Sequence, residues 1–296
     1  MLPARSRSLI HAIAVDRKSG AIELAVKVVD AFEELSGSIS PPSANEINTV
    51  VKFLSKAQPS MVPIHNTAEI CSRILAHGGD VAAELTLLRT FLEESREKVA
   101  TNSLKVFNSS SVIVTLSRSS TVLAALRLAA ASGKLQRVFV MESRPRFEGR
   151  VTAREMMILG VDCVLVADAA GPSLLSEADM AVVGADAILR DGAVVNKIGT
   201  YPLSLACSES GKPLYVLTEA IKVDRRFSSR DWPDSELRDE KELLPSPPRG
   251  LRALNRYFDL SPSANVTAVV HEKGVSRRGW FGEMEKVLAG LLTESP

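Results

Sequence analysis

The amino-acid sequence predicts an α/β protein in which a helical N-terminal domain precedes a Rossmann-like domain built on a parallel sheet. Apolar residues recur at helical spacing through the first hundred residues. From residue 103 onward, short apolar runs alternate with helical patterns, which is typical of βαβ units. Those runs are continuous, as expected for strands buried on both faces. We therefore expect a helical domain at residues 1–102 and a Rossmann-like domain at residues 103–296.

In the first domain, start and stop patterns delimit the helices. Ser43 and Glu46 have the spacing of a capping box, in which each residue satisfies a backbone amide of the other. The pair Gly78-Gly79 ends one helix and separates it from the next. Helices are expected at four places: 21–35, 43–54, 67–77 and 80–100.

In the second domain, the β-branched and other apolar runs predict strands at 111–116, 137–141, 162–166, 180–183, 213–217 and, as the last strand, 265–270. The intervening patterns predict helices at 121–132, 149–159, 173–178, 199–210 and 279–292. Between the strand at 180–183 and the helix at 199–210, Asp191-Gly192 predicts a turn.

Residues 225–249 differ from both patterns. They contain many charged residues and four prolines, so we expect an exposed excursion between elements of the sheet. The composition leaves open whether this segment is a lid, an interface or a solvated loop.

Composition excludes several functions. A net charge of +1 predicts neither direct nucleic-acid binding nor strong attraction to a membrane surface. No apolar run approaches the roughly 18–20 residues of a membrane helix. Cys71, Cys163 and Cys207 are far apart and form no CxxC pair, so we expect no metal site, no disulfide framework and no cofactor. We expect Cys71 and Cys163 to be buried structural residues. With no long apolar stretch near the start, a cytoplasmic location is the simplest expectation.

Polar residues follow several predicted strands where those strands end. Asp186 follows the strand at 180–183, and Asn196, Lys197 and Thr200 follow the Asp191-Gly192 turn. Arg144 follows the strand at 137–141. The carboxyl ends of parallel strands are where open α/β sheets bind ligands. Taken singly, a strand-end aspartate is more often a cap or a turn former than a catalyst, and the arginine is equally explained as a surface residue in a loop. Together they predict a site for an anionic, hydroxyl-rich ligand such as a sugar phosphate.

The order of these segments resembles that of a known family. The landmarks are Ser19-Gly20-Ala21, Glu142-Ser143-Arg144-Pro145, Gly184-Ala185-Asp186, Asn196-Lys197-Ile198-Gly199-Thr200, Pro213-Leu214-Tyr215-Val216 and Asn255-Arg256-Tyr257-Phe258-Asp259. Across residues 15–275 the chain resembles the α, β and δ subunits of eukaryotic translation initiation factor 2B. The same family contains isomerases of methylthioribose 1-phosphate and ribose 1,5-bisphosphate. The resemblance implies the fold predicted above and a homodimer or higher oligomer formed through the C-terminal domain.

The resemblance also implies roles for individual residues. Asp186 matches the catalytic aspartate of the isomerases. Their catalytic cysteine belongs to a Thr-His-Cys pattern, and the chain has Thr115-Leu116-Ser117 at that place. Ser117 is a far weaker acid than cysteine, whose ordinary pKa is about 8.5. The residues that the resemblance places at the ligand are Gly20, Ala21, Arg144, Asn196 and Lys197.

Three functional hypotheses follow. In the first, the protein is an initiation-factor-2B-like subunit that binds a sugar phosphate or nucleoside monophosphate without turnover, with related subunits or initiation factor 2 as partners. In the second, it is an aldose–ketose phosphosugar isomerase in which Asp186 moves the proton, Arg144 and Lys197 hold phosphate, and Ser117 only binds. In the third, it is an oligomeric scaffold with a vestigial pocket.

Overall fold

The computed structural model describes residues 2–16, 19–38, 42–233 and 237–291, and the chain divides into two compact units. The first unit comprises Met1–Ser95, Ala220–Lys222 and Met284–Pro296, and the second comprises Arg96–Glu219 and Val223–Glu283. The predicted α/β class, with helices preceding a largely parallel sheet, is confirmed. The division falls inside one helix, whereas the sequence prediction places the domain boundary after residue 102.

The first unit is built from α-helices that bury one apolar face each. They are α1 (Ala4–Val15), α2 (Ala21–Ser36), α3 (Ala44–Ala57), α4 (Val62–His77) and the first part of α5 (Val81–Ser103). The capping box is confirmed, because the Ser43 hydroxyl accepts from the Glu46 amide and the Glu46 carboxylate accepts from the Ser43 amide. Gly78, at φ +71°, ends α4. Helix α1 was not predicted.

The second unit contains a seven-stranded sheet. Its strands are β1 (Ser111–Leu116), β2 (Leu135–Met141), β3 (Asp162–Val166), β4 (Met180–Val183), β7 (Leu214–Leu217), β10 (Ala268–His271) and β11 (Gly274–Ser276), in the order β11-β10-β7-β4-β1-β2-β3. All neighbours are parallel except β10 and β11. The strand order reverses at β1, between β2 on one side and β4 on the other. Open α/β sheets bind ligands at such a switch point.

A second, four-stranded sheet was not predicted. It consists of β5 (Ala187–Leu189), β6 (Val194–Lys197), β8 (Val223–Asp224) and β9 (Phe258–Ser261), in the order β8-β5-β6-β9. Strands β5 and β6 form an antiparallel hairpin around the expected Asp191-Gly192 turn. The prediction that 265–270 is the last strand is wrong, because β11 follows β10. Each missed strand has four residues or fewer, too short to show a periodicity.

Helices α6 (Ser120–Ala131), α7 (Glu148–Ile158), α8 (Thr200–Ser210) and α9 (Trp280–Gly290) complete the regular structure. The predicted helix at 173–178 is instead a 3-10 helix at Asp168–Ser176 that contains Pro172, a residue that removes a helical hydrogen bond. Within the described part of the chain, no helix is both long and apolar enough to span a bilayer.

Burial differs between the centre and one edge of the large sheet. Strand β4 is fully buried, whereas the edge strand β3 is mostly exposed or half-buried. The prediction that Cys163 is buried is therefore wrong, because this residue lies half-exposed on β3, while Cys71 is buried as expected. Apolar side chains are also exposed on the neighbouring α7. We call this set the β3–α7 surface, and it consists of Val151, Met157, Ile158, Leu159, Val164 and Leu165.

Candidate functional site

Three of the predicted site residues lie in the β5–β6 hairpin or directly before it. Asp186 directly precedes β5, is half-buried, and donates its backbone N–H to the carbonyl oxygen of Val195 at 2.8 Å. Asn196 and Lys197 end β6 and are 6% and 4% exposed. Because successive side chains of a strand point to opposite faces, the side chains of Asn196 and Lys197 lie in two different environments.

Asn196 belongs to a hydrogen-bonded network at the switch point. Its Nδ2 donates to Thr200 Oγ1 at 2.9 Å, and Thr200 Oγ1 donates to the Lys197 carbonyl at 2.6 Å. Gly184, at the end of β4, lies so close to the β1–α6 loop that a Cβ there would be 2.7 Å from Ser119 Oγ and 3.9 Å from Asn196 Oδ1. The loops after β1 and β4 therefore meet close to Asn196. Their close approach leaves no room for a side chain at position 184, which explains the glycine there.

Lys197 is a buried cation with an acidic and an aromatic partner. Its Nζ lies 3.1 Å from Glu148 Oε1, at the start of α7, and 4.6 Å from the centre of the Tyr257 ring. Lysine is almost never fully buried unless it is paired. The ion pair and the cation–π contact together balance the charge of Lys197.

The loops after β1 and β2 hold each other through backbone contacts. Ser117 and Ser143 both have left-handed backbone conformations, at φ +64° and +65°. The Ser117 N–H donates to Ser143 Oγ at 2.6 Å, and Thr152 Oγ1 donates to the Ser117 carbonyl at 2.7 Å. Asp168 accepts the backbone N–H groups of Ser143 and Arg144 at 2.6 and 2.7 Å. Left-handed non-glycine residues are uncommon and persist where the surroundings fix them.

Arg144 lies at the exposed rim of this arrangement. Its guanidinium donates to the Leu243 carbonyl at 3.1 Å and lies 4.9 Å from the centre of the Phe147 ring. Arg150 lies over the same ring at 3.8 Å and pairs with Glu142 at 2.8 Å. Arginine is well suited to bidentate recognition of phosphate or carboxylate.

The described part of the excursion lies against the same groups. The Tyr257 hydroxyl donates to Glu242, which also accepts from Asn255 Nδ2 at 2.9 Å. Burial, and next the hydrogen bond to Glu242, raise the pKa of Tyr257 to about 12. Lys197 contacts the ring of Tyr257, whose hydroxyl binds Glu242, and Arg144 donates to Leu243, the next residue. Both predicted phosphate-binding cations are therefore linked by contacts to the same short stretch of the excursion.

Asp259 is a polar residue that the sequence analysis did not assign to the site. It follows Phe258 on β9, and its Oδ2 accepts the N–H groups of Gly199 and Tyr201 at the start of α8, at 2.7 and 3.0 Å. Burial raises the pKa of Asp259 to about 6, although these amides act in the opposite direction. The N-terminus of α8 is thus occupied by a carboxylate of the chain itself, 58 to 60 residues away in sequence, and no local pattern indicated it.

Gly20 and Ala21 lie in the first unit, whereas the other predicted residues lie in the second. Gly20 is the N-cap of α2, with an extended backbone at φ −72° and ψ 162°. Before it, the Ser19 hydroxyl donates to Asp16 Oδ2 at 2.8 Å, and Lys27 donates to the same oxygen at 3.0 Å. The start of α2 is therefore fixed within the first unit.

The cysteines are poor candidates for chemistry. Burial raises the pKa of the Cys207 thiol to about 12 and that of Cys163 to about 11, and it raises that of Cys71 further. All three thiols are therefore protonated near neutral pH. Among the described residues, no group of three histidine, cysteine, aspartate or glutamate side chains is arranged to hold a metal ion.

Comparisons with known proteins agree with this architecture. Residues 14–278 match the Initiation factor 2 subunit family. A Pyrococcus horikoshii protein described as translation initiation factor eIF-2B subunit 2-like is 34% identical over 282 residues, which cover 93% of this chain and 97% of that protein. The ribose 1,5-bisphosphate isomerase of Pyrococcus furiosus is 27% identical over 280 residues, covering 86% of this chain and 85% of the isomerase.

Solved structures show the same fold. The crystal structure of the Pyrococcus horikoshii OT3 translation initiation factor eIF-2B aligns with a TM-score of 0.77 at 32% identity, over 94% of this chain and 99% of that one. A chain of the tetrameric eIF2B-beta2-delta2 complex from C. thermophilum aligns with a TM-score of 0.74 at 17% identity, over 96% of this chain and 94% of that one. The sequence match, its coverage and the shared fold establish that this chain belongs to the Initiation factor 2 subunit family.

Proposed function

We propose that the protein is an initiation-factor-2B-like subunit that binds a sugar phosphate, or a nucleoside monophosphate, at the strand ends of its second unit and does not turn it over. The observation that carries the proposal is the presence of two cations near strand ends, Lys197 and Arg144, together with a serine in place of the family cysteine. A site with cations but no acidic thiol is equipped for binding and poorly equipped for proton transfer.

The proposed binding mode assigns one role to each group. Arg144 and Lys197 hold the phosphate. Asp186 accepts hydrogen bonds from sugar hydroxyls, and the Asn196 amide donates hydrogen bonds to them. Arg144 is exposed and its one hydrogen-bond acceptor among the described residues is the Leu243 carbonyl, which a phosphate can replace. The roles of Gly20 and Ala21 at the ligand also remain part of the proposal.

Ser117 supports the non-catalytic assignment. An alcohol needs a base beside it to exchange a proton near pH 7. In this chain the main-chain N–H and C=O of Ser117 are used to hold the loops after β1 and β2 in place. This residue thus has a structural role that does not require its hydroxyl.

The alternative is an aldose–ketose isomerase that uses Asp186 without a cysteine. It is favoured by the retention of Asp186, Arg144, Asn196 and Lys197, and by the ribose 1,5-bisphosphate isomerase among the similar proteins. In that case Asp186 transfers the proton and the two cations hold phosphate.

One pair of measurements separates the two functions. Isothermal titration with ribose 1,5-bisphosphate, methylthioribose 1-phosphate and AMP measures binding, and NMR of the same mixtures follows ketose formation. The proposal expects saturable binding of at least one compound with no ketose produced. Turnover that disappears in Asp186→Asn would establish the isomerase instead. A ligand at 100 times its Kd should also add about 2.7 kcal/mol to the free energy of unfolding.

We further propose self-association through the second unit, with a second copy of the chain covering the β3–α7 surface. Parallel sheets are normally covered on both faces, and exposed apolar side chains on an edge strand and the helix beside it are candidates for burial at an interface. On this surface Met157 and Ile158 are 64% and 71% exposed. A dimer or larger oligomer is expected, and related subunits or initiation factor 2 are further candidate partners.

The self-association is tested by sedimentation velocity. Met157→Glu/Ile158→Glu should dissociate the oligomer, because the substitutions bury charges at the contact. Leu251→Glu/Leu254→Glu is the matched control, since these leucines are exposed in the segment that follows the excursion. A wild-type protein that sediments as a monomer at micromolar concentration, or equal dissociation of both variants, would contradict the assignment.

A further inference from the structure

The second unit contains an open cleft of about 800 Å³ that is distinct from the strand-end site. Three segments line it: the hairpin turn at 190–192, residues 263–267 between β9 and β10, and residues 277–282 at the start of α9. A smaller cleft of about 300 Å³ shares Ala264, Val266 and Thr267 with it and adds Lys212. The two clefts therefore adjoin, and neither contains Asp186, Asn196 or Lys197.

The charged groups of these clefts are mainly cationic. Arg190, Arg277 and Arg278 line the large cleft, and Lys212 lines the smaller one. Asp191 is the one acidic residue among the described lining residues. Its carboxylate accepts the hydroxyl and the N–H of Ser229, the latter at 3.0 Å, so its charge is engaged by the neighbouring loop.

Arg277 and Arg278 differ from the ion-paired arginines of the protein. Arg89, Arg137 and Arg190 each form a salt bridge, and Arg190 pairs with Asp231 at 3.2 Å. Arg277 and Arg278 are exposed and, across residues 2–16, 19–38, 42–233 and 237–291, no carboxylate lies within salt-bridge distance of either one. Adjacent like charges repel one another, and a bound polyanion removes that cost.

The walls of the cleft are fixed in position. Trp280, 5% exposed, donates its indole N–H to the Gly192 carbonyl at 3.0 Å and so joins the start of α9 to the hairpin turn. Gly192 has φ +79°, and a Cβ there would lie 3.2 Å from the Trp280 indole nitrogen. Asn265 Nδ2 donates to Ser204 Oγ at 3.1 Å, which ties the third wall to α8. A preformed cleft orders few groups when a ligand binds.

We propose that these adjoining clefts bind a small molecule that carries two or more linked phosphate groups, such as a nucleoside triphosphate. Guanidinium groups bind phosphate oxygens in pairs, and the three arginines supply more donors than one phosphate accepts. The volume of the large cleft is in the range of small-molecule sites. The site is independent of the proposed sugar-phosphate function.

Titration calorimetry with the full chain tests the proposal, with tripolyphosphate and ATP as probes. Arg277→Gln/Arg278→Gln should weaken binding by at least about tenfold, because two charge-assisted donors are lost. Arg249→Gln/Arg252→Gln is the matched control, since it removes two exposed arginines elsewhere in the same unit.

Tryptophan fluorescence locates the bound probe. The chain contains two tryptophans, so Trp232→Phe leaves Trp280 as the single reporter, in the wall of the cleft. Saturable quenching or a spectral shift of Trp280 at the calorimetric Kd supports the proposal. It is overturned if neither probe binds at millimolar concentration, if the control pair weakens binding as much as the Arg277–Arg278 pair, or if only oligonucleotides bind.

Discussion

Lys197 and Arg144, the two cations proposed to hold phosphate, lie in opposite surroundings. Lys197 is buried on a strand, and both a carboxylate and an aromatic ring balance its charge. Arg144 is exposed in a loop, and it donates to a main-chain carbonyl. Burying a charge is costly unless it is paired, so Lys197 contributes to the fold as well as to any ligand. Removing each cation should therefore affect stability and affinity in different proportions.

The largest effect is expected from Lys197→Met. The substitution leaves Glu148 beside a buried apolar side chain and should lower the free energy of unfolding by about 3 kcal/mol. Urea unfolding measures this change. The double variant Lys197→Met/Glu148→Gln also removes the carboxylate that has lost its partner, so part of the lost free energy of unfolding should be recovered. Equal stability of Lys197→Met and the wild type would show that the ion pair has no structural role.

A second effect concerns pH and Asp259. Its pKa in the folded protein is about 6, above the ordinary value of 3.8, so the folded state holds the proton more tightly than the unfolded state does. The stabilising contribution of this group is complete below pH 3.8 and is lost as the pH rises through 6. Asp259→Asn cannot ionise and lacks this dependence.

The difference in stability between Asp259→Asn and the wild type should therefore shift by about 2 kcal/mol between pH 4 and pH 7.5, in favour of the variant at the higher pH. Urea unfolding of both proteins at the two values gives the shift. His271 titrates in both proteins, so its own effect cancels. That effect has the opposite sign, because burial lowers the pKa of His271 and acid destabilises the fold. A constant difference between the proteins would contradict the raised pKa of Asp259.

The buried cation and the exposed one also differ in how far the sequence could predict them. Strands Ser111–Leu116, Asp162–Val166 and Met180–Val183 were predicted to the residue, because continuous apolar runs between turn residues specify buried strands. Asn196 and Lys197 were expected before a helix and do precede α8, but the short strand that they end was not predicted. Their strand pairs with β5 and β9, and Phe258 of β9, the partner of Lys197, is 61 residues further on. Such pairing leaves no local pattern.

The same reason limits prediction of the site. Apolar runs in the sequence predict where the strands end, so they also predict that Asp186 and Arg144 lie at strand ends. The partners Glu148, Tyr257 and Leu243 come from three other segments, and a single sequence does not reveal which distant residues meet. Asp259 was quoted only as part of a family landmark, and its role as a carboxylate at the start of α8 is visible only in three dimensions.

A third effect is expected at the rim. Arg144→Ala should raise the Kd for a sugar phosphate by about tenfold while changing the free energy of unfolding by no more than about 0.5 kcal/mol, because the side chain is exposed. Calorimetry and urea unfolding measure the two quantities. Arg154→Ala, an exposed arginine on α7, is the control and should change neither. An unchanged Kd in Arg144→Ala would exclude Arg144 from the phosphate.

The smallest effect is expected from Ser117→Ala. The structure uses the backbone of this residue, whose N–H and C=O bind Ser143 and Thr152, and alanine keeps both groups. The Kd for a sugar phosphate should therefore stay within about twofold of the wild-type value, which is less than 0.5 kcal/mol. Ser143→Ala is the informative partner, because it removes the acceptor of the Ser117 N–H and frees a strained loop. If Ser117→Ala abolishes binding while Ser143→Ala does not, the Ser117 hydroxyl contacts the ligand and the role of this residue is more than that of its backbone.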